Sequence, residues 1–268
     1  MRFKTLATGA IAIAVTAAPM AVAAKTVALT VTIENIAPEN TVSFAPLRFG
    51  FGNGTFDAFN INEAAGAEII SIAEGGSGSA WLPAFAAADP GAVIGSSAGA
   101  QIPGTSQIVG TFNIDTEANR FFTFANMVVP SNDLFLGNDN PMAFNLFDDD
   151  GNLQLFDITQ TVAAIWDANS EVADPDNAAF IPGANNDARI AENGLIAFAF
   201  DELSVFNGLT TAAGYVFDGS NLRLDTDIFR VTFSAVDVNE VAEPAAILPF
   251  ASGLALLGFA AVRRRRRA

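Results

Sequence analysis

Large apolar side chains alternate with small or hydroxylated ones over residues 27–33, Val-Ala-Leu-Thr-Val-Thr-Ile. A period of two in β-branched residues predicts a strand. Residues 41–51 form a second extended segment, interrupted at Pro46 and closed by the Gly52-Asn53-Gly54 turn. The period then lengthens. Residues 64–74 place Ala67, Ile70, Ser71 and Glu74 at helical spacing, and residues 80–88 predict a second short helix, stopped at Asp89-Pro90-Gly91. Extended runs return at 106–114, 120–129, 142–147 and 153–158, the last two joined by the hairpin signal Asp148-Asp149-Asp150-Gly151-Asn152. Residues 169–192 read as a long irregular stretch, and strands are expected again at 195–200, 221–225 and 228–234. Strands punctuated by turns predict a mainly β fold, an antiparallel β-sandwich with one or two short helices near the N-terminal part of the domain. No internal repeat is visible.

Both ends depart from this pattern. Arg2 and Lys4 precede an apolar run and the small-residue site Ala21-Val22-Ala23, the layout of a secretory signal peptide over residues 1–23. At the other end, Val241-Ala242-Glu243-Pro244 leads into the apolar segment 245–262 and the arginines of 263–267. This tail, residues 241–268, resembles the PEP-CTERM sorting signal of Gram-negative bacteria, with Ala242 where the usual motif has proline. The resemblance implies an exosortase-type processing enzyme as a partner and transient membrane insertion through 245–262, with the arginines held on the cytoplasmic side. A plain tail-anchor helix is the other reading. In either case the chain is expected to be exported through the inner membrane and to end at the cell surface or, after C-terminal processing, in the extracellular matrix.

Between the ends, residues 24–240 are expected to form one domain. Six basic residues face 29 acidic ones across the body up to Glu243, a net charge of −23. Phosphate contacts require clustered Lys and Arg, so nucleic acid is not expected as a partner. The chain has no cysteine and no histidine. Disulfides, Cys–His and Ser–His–Asp nucleophile systems, and zinc, copper or haem sites with His or Cys ligands are therefore excluded. Stability must come from burying apolar side chains, for which 24 phenylalanines are available. Oxygen ligands remain, and they suit hard cations such as calcium.

Four segments carry a further resemblance. Val31-Thr32-Ile33-Glu34-Asn35 matches the opening strand of the spondin N-terminal domain. The run Met127-Val128-Val129-Pro130-Ser131-Asn132-Asp133-Leu134-Phe135-Leu136-Gly137-Asn138-Asp139 matches its central motif. Ile165-Trp166-Asp167-Ala168-Asn169-Ser170-Glu171 matches a third, and Ile228-Phe229-Arg230-Val231-Thr232-Phe233 the closing strand. The chain resembles this family of extracellular-matrix domains over residues 27–233. The resemblance implies a β-sandwich with a calcium ion at loops near one end, and Asp133, Asp167 and Glu171 as its ligands. Asn169 stands where the family has glycine, and asparagine tolerates the left-handed backbone that a glycine serves.

From the residues alone, Asp133 and Asp167 sit beside strand ends, where carbonyls are free to join them as ligands, or they cap local turns. Asp139 reads as a turn cap, and Asp148, Asp149 and Asp150 as an exposed hairpin tip. Three functions follow as expectations. The first is a non-catalytic surface or matrix protein, with an adhesion or biofilm-matrix role and extracellular polysaccharide or a surface protein as partner. The second is a carbohydrate-binding module of the exopolysaccharide layer, for which only Trp81, Trp166 and Tyr215 supply aromatics beyond phenylalanine. The third, a secreted hydrolase using Asp133 and Asp167 as acid and base, has the least support.

Overall fold

The structure, a computed structural model, describes residues 25–238. The segments read from the sequence as a secretory signal, 1–23, and a sorting tail, 241–268, lie outside the described residues. Among those described, no helix is long and apolar enough to cross a membrane.

The opening alternation forms β1 (Thr26–Asn35), with Val27, Leu29, Val31 and Ile33 all but fully buried. It is one of the two inner strands of a four-stranded antiparallel sheet. On one side lies β5 (Ser106–Asp115); on the other lies β11 (Asp227–Asp237), followed by β8 (Asp157–Thr161). The second sheet runs in the order β10 (Ala197–Phe198), β9 (Trp166–Asp167), β7 (Leu134–Gly137), β6 (Phe121–Val129), β3 (Arg48–Gly52) and β4 (Val93–Ser96). The short β2 (Ser43–Phe44) also pairs with β6. All strand pairs are antiparallel, and the two sheets make a β-sandwich.

Phenylalanine fills the space between the sheets. Phe49, Phe51, Phe122 and Phe124 point inward from the larger sheet, and Phe229 and Phe233 from the smaller one. Phe122 meets Phe233 edge-on at 5.0 Å across the sandwich. The outer face of the larger sheet is covered as well. There α1 (Ala67–Ala73) and α2 (Trp81–Ala88) bury Ile69, Ile72, Trp81 and Phe85 against Ala125 and Phe135, a second core behind the first. Neither helix has a side-chain N-cap bond. Helices this short are marginal alone, so docking holds them. Gly50 permits the close approach, because a Cβ there would lie 2.5 Å from the Phe85 ring.

Two expected strands are absent. Residues 142–147 touch the start of β6 through a single bridge, Phe121 to Asn145. The Asn145 side chain accepts from Phe147 N and Arg120 Nε, and this local bonding competes with a ladder. Residues 221–225 close on themselves, with Arg223 N donating to Thr226 Oγ1 and Thr226 N to Arg223 O. The expected run 153–158 contributes only its last residues to β8. The hairpin tip forms as expected: Asp148 Oδ1 accepts from Asp150 N and Asn152 N, and Gly151 turns at φ +73°.

Candidate metal centre

The central motif leaves β6 through a cis Val129–Pro130 bond, turns at Ser131 and enters β7 at Leu134. Ser131 Oγ stabilises the turn, donating to Val128 O at 2.6 Å and accepting from Leu134 N at 3.1 Å. Asp133 is thereby fixed immediately before β7. The third motif supplies β9, and the register Leu134 to Asp167 sets the two acids side by side at the rim of the main core. Both are inaccessible, at 0% and 1% exposure.

A third carboxylate reaches them from a segment with no recognised motif. Residues Phe200–Phe206 form a 3-10 helix whose Leu203 and Phe206 enter the main core. Glu202 lies on this helix, and its carboxylate joins those of Asp133 and Asp167 with ligand oxygens all within 4.8 Å of one another. The spacing of Phe200, Leu203 and Phe206 at every third residue is the signal that could have located the helix. Without the fold, nothing in Asp201-Glu202 distinguishes it from a solvated acidic pair.

Glu171 meets the pair differently from the expectation drawn from the resemblance. Its backbone N–H donates to Asp133 Oδ2 at 2.9 Å, while its side chain forms an ion pair with Arg189 at 2.7 Å. Arg189 also pairs with Glu74, at the end of α1. Ser170 adds two donors to Asp133 Oδ2, its N–H at 2.7 Å and its hydroxyl at 3.0 Å. Asp133 is therefore no local turn cap, since its bonds pin a segment 37 residues further along the chain. Asp167 does cap locally, its Oδ1 accepting from Asn169 N at 2.7 Å. Asn169 adopts φ +49°, the left-handed conformation that its place in the motif implies. Asp139 bonds Ile61 N at 3.1 Å, so it ties a distant loop rather than its own turn.

The electrostatics of this cluster are unbalanced. Burial pushes the Asp133 carboxyl up to about 7, with the Asp167 charge adding to it against the N–H donors of Glu171 and Ser170. Burial likewise raises Asp167 to about 7, with Glu202 contributing. Glu202 is raised by burial and by Asp133, although hydrogen bonding with Asp167 opposes the rise. Glu171 is raised to about 7 by burial and by Glu74, with Arg189 opposing. Asp133 Oδ1 is buried and meets no N–H or hydroxyl donor among the described residues. Buried polar atoms are almost always satisfied, and an unbonded carboxylate oxygen among converging acids fits a cation. Three carboxylates form an all-oxygen donor set, which suits calcium or another hard divalent ion. A proton shared among the acids is the other way to relieve their repulsion.

Beside the cluster, a cavity of about 310 Å³ opens between α1 and the loops carrying Asn169, Ser170 and Asn193. The aromatic residues that a sugar platform would use are placed elsewhere. Trp81 is fully buried, Trp166 packs near Phe59 at 6.4 Å, and the Tyr215 hydroxyl donates to Thr41 O at 2.7 Å. The chain matches no protein-family model and no curated protein.

Proposed function

We propose that this chain is an exported, non-catalytic surface or matrix protein, in which a spondin-like sandwich is braced by calcium. The reading rests on one observation: the oxygens of Asp133, Asp167 and Glu202 converge within 4.8 Å, with one Asp133 oxygen buried and unbonded. A divalent ion there would be held by these three side chains. It would neutralise their mutual repulsion and tie β7, β9 and the 200–206 helix together. The loop that begins at Asn169 would be positioned by the same ion through Asp133 and Ser170, presenting the adjacent cavity to a partner. Adhesion to extracellular polysaccharide or to another surface protein is the role that fits the secretory and sorting segments.

A hydrolase reading is weakened by burial, because Asp133 and Asp167 are closed to a polymer substrate. A carbohydrate-binding platform is weakened by the burial of Trp81 and by Trp166 being half-buried against the second core. Isothermal titration of the metal-depleted full chain with calcium tests the proposal. Saturable binding that disappears in Glu202→Gln supports it, whereas unchanged binding in that variant moves the ion elsewhere.

A further inference from the structure

The solvent face of the four-stranded sheet differs from the rest of this acidic molecule. The register of β1 against β5 and β11 places Thr30 between Thr111 and Ser234, and Thr32 between Ile108 and Thr232. Val27, Leu29, Val31 and Ile33 point into the core, so these partners point outward. Thr30 and Thr111 are joined hydroxyl to hydroxyl at 2.8 Å. Ile108 and Val236, the two most exposed large apolar residues described, stand on this face at 71% and 70% exposure. Among the described residues its charges lie at the margins. Asp115 stands at one end and the Glu34–Arg230 ion pair at the other, while Asp157 flanks Thr232 on the edge strand β8.

We propose that this face is a self-association surface, on which a second copy of the chain docks sheet against sheet. Residues 25–238 carry six basic and 27 acidic side chains. Two copies therefore repel each other wherever charged surfaces meet, and an uncharged, β-branched face is where that repulsion is least. The face also lacks the aromatic residues that a flat polysaccharide would require. Three strands ~4.8 Å apart, each of about ten residues rising ~3.3 Å, offer roughly 500 Å² per copy with their charged ends counted. About 1,000 Å² in total is the lower bound for a specific association, so the dimer is weak and concentration-dependent. It is isologous, with β1 of each copy near the two-fold axis.

Sedimentation velocity of the full chain, from micromolar to submillimolar concentration, tests this. Wild type should pass from monomer to dimer, and added salt should favour the dimer by screening the acidic bodies while leaving the uncharged contact intact. Thr30→Glu should remain monomeric at every concentration with an unchanged melting temperature. An equimolar mixture of Thr30→Glu and Thr30→Lys should dimerise again. A wild-type chain that stays monomeric throughout overturns the proposal. So does association that survives in Thr30→Glu, which would place the contact at a sheet edge or in the terminal segments.

Discussion

Asp133 combines two functions on one side chain. Its Oδ2 accepts three hydrogen bonds from Ser170 and Glu171, while its Oδ1 is buried and unbonded. Asp133→Ala removes all three acceptor contacts and should cost ~2–4 kcal/mol in chemical denaturation in chelator, and more in calcium, where it also loses a ligand. Glu202→Gln should behave oppositely. It removes one charge from a repelling cluster, so the metal-free chain should be no less stable than wild type while its calcium response vanishes. Asn169, at φ +49°, supplies a second contrast. Asn169→Ala should be less stable than Asn169→Gly by ~1 kcal/mol, because alanine resists the left-handed region and glycine does not. Equal stability of those two variants would show that the Asn169 conformation is not what matters there. Asp133, Asp167 and Asn169 were legible because they sit in a recognisable run of residues. Glu202 was not, because it lies about 30 residues beyond the last of them, on a helix stabilised only by tertiary packing.

At the level of elements, β1 with one wet face announced itself, and so did the long buried β6, whereas the short buried β7 did not. The alternation of β1 is visible because only its inner face is covered, as the burial pattern confirms. In contrast β7 reads Leu-Phe-Leu-Gly and is buried throughout, since the sandwich core lies on one side and the helical layer on the other. A strand covered on both faces loses the period of two, and four residues are too few to betray it otherwise. The two-residue strands exist only as register, β9 against β7 and β10 against β9. The small residues that admit the helical layer give the next prediction. Gly50→Ala should destabilise by ~1–3 kcal/mol in urea titration, because its Cβ would lie 2.5 Å from the Phe85 ring and force α2 outward. A variant within experimental error of wild type would mean that α2 shifts freely on the sheet, and the second core contributes little.

For the whole molecule, the buried acids couple stability to pH and to cations. Asp133, Asp167 and Glu171 titrate at about 7 in the folded chain, above their ordinary values of 3.8 and 4.5. Between those limits the folded state holds more protons than the unfolded one, so stability falls as pH rises. Metal-free protein should thus melt at a lower temperature at pH ~8 than at pH ~5, the reverse of what paired carboxylates would give. Calcium competes with the same protons. It should bind more tightly at the higher pH and flatten the decline. A melting temperature that rises between those two pH values in metal-free buffer would refute the electrostatic basis of the site.

The most direct measurement is thermal unfolding of the full chain at pH ~8 in excess calcium, in excess magnesium and in chelator, with Glu202→Gln alongside. A ligand at a hundred times its dissociation constant adds ~2.7 kcal/mol. Calcium bound by Asp133, Asp167 and Glu202 predicts a rise of several degrees in calcium, little or none in magnesium, and no rise in the variant. Identical curves in calcium and chelator would contradict it, leaving the three carboxylates to share protons in a sandwich that needs no metal.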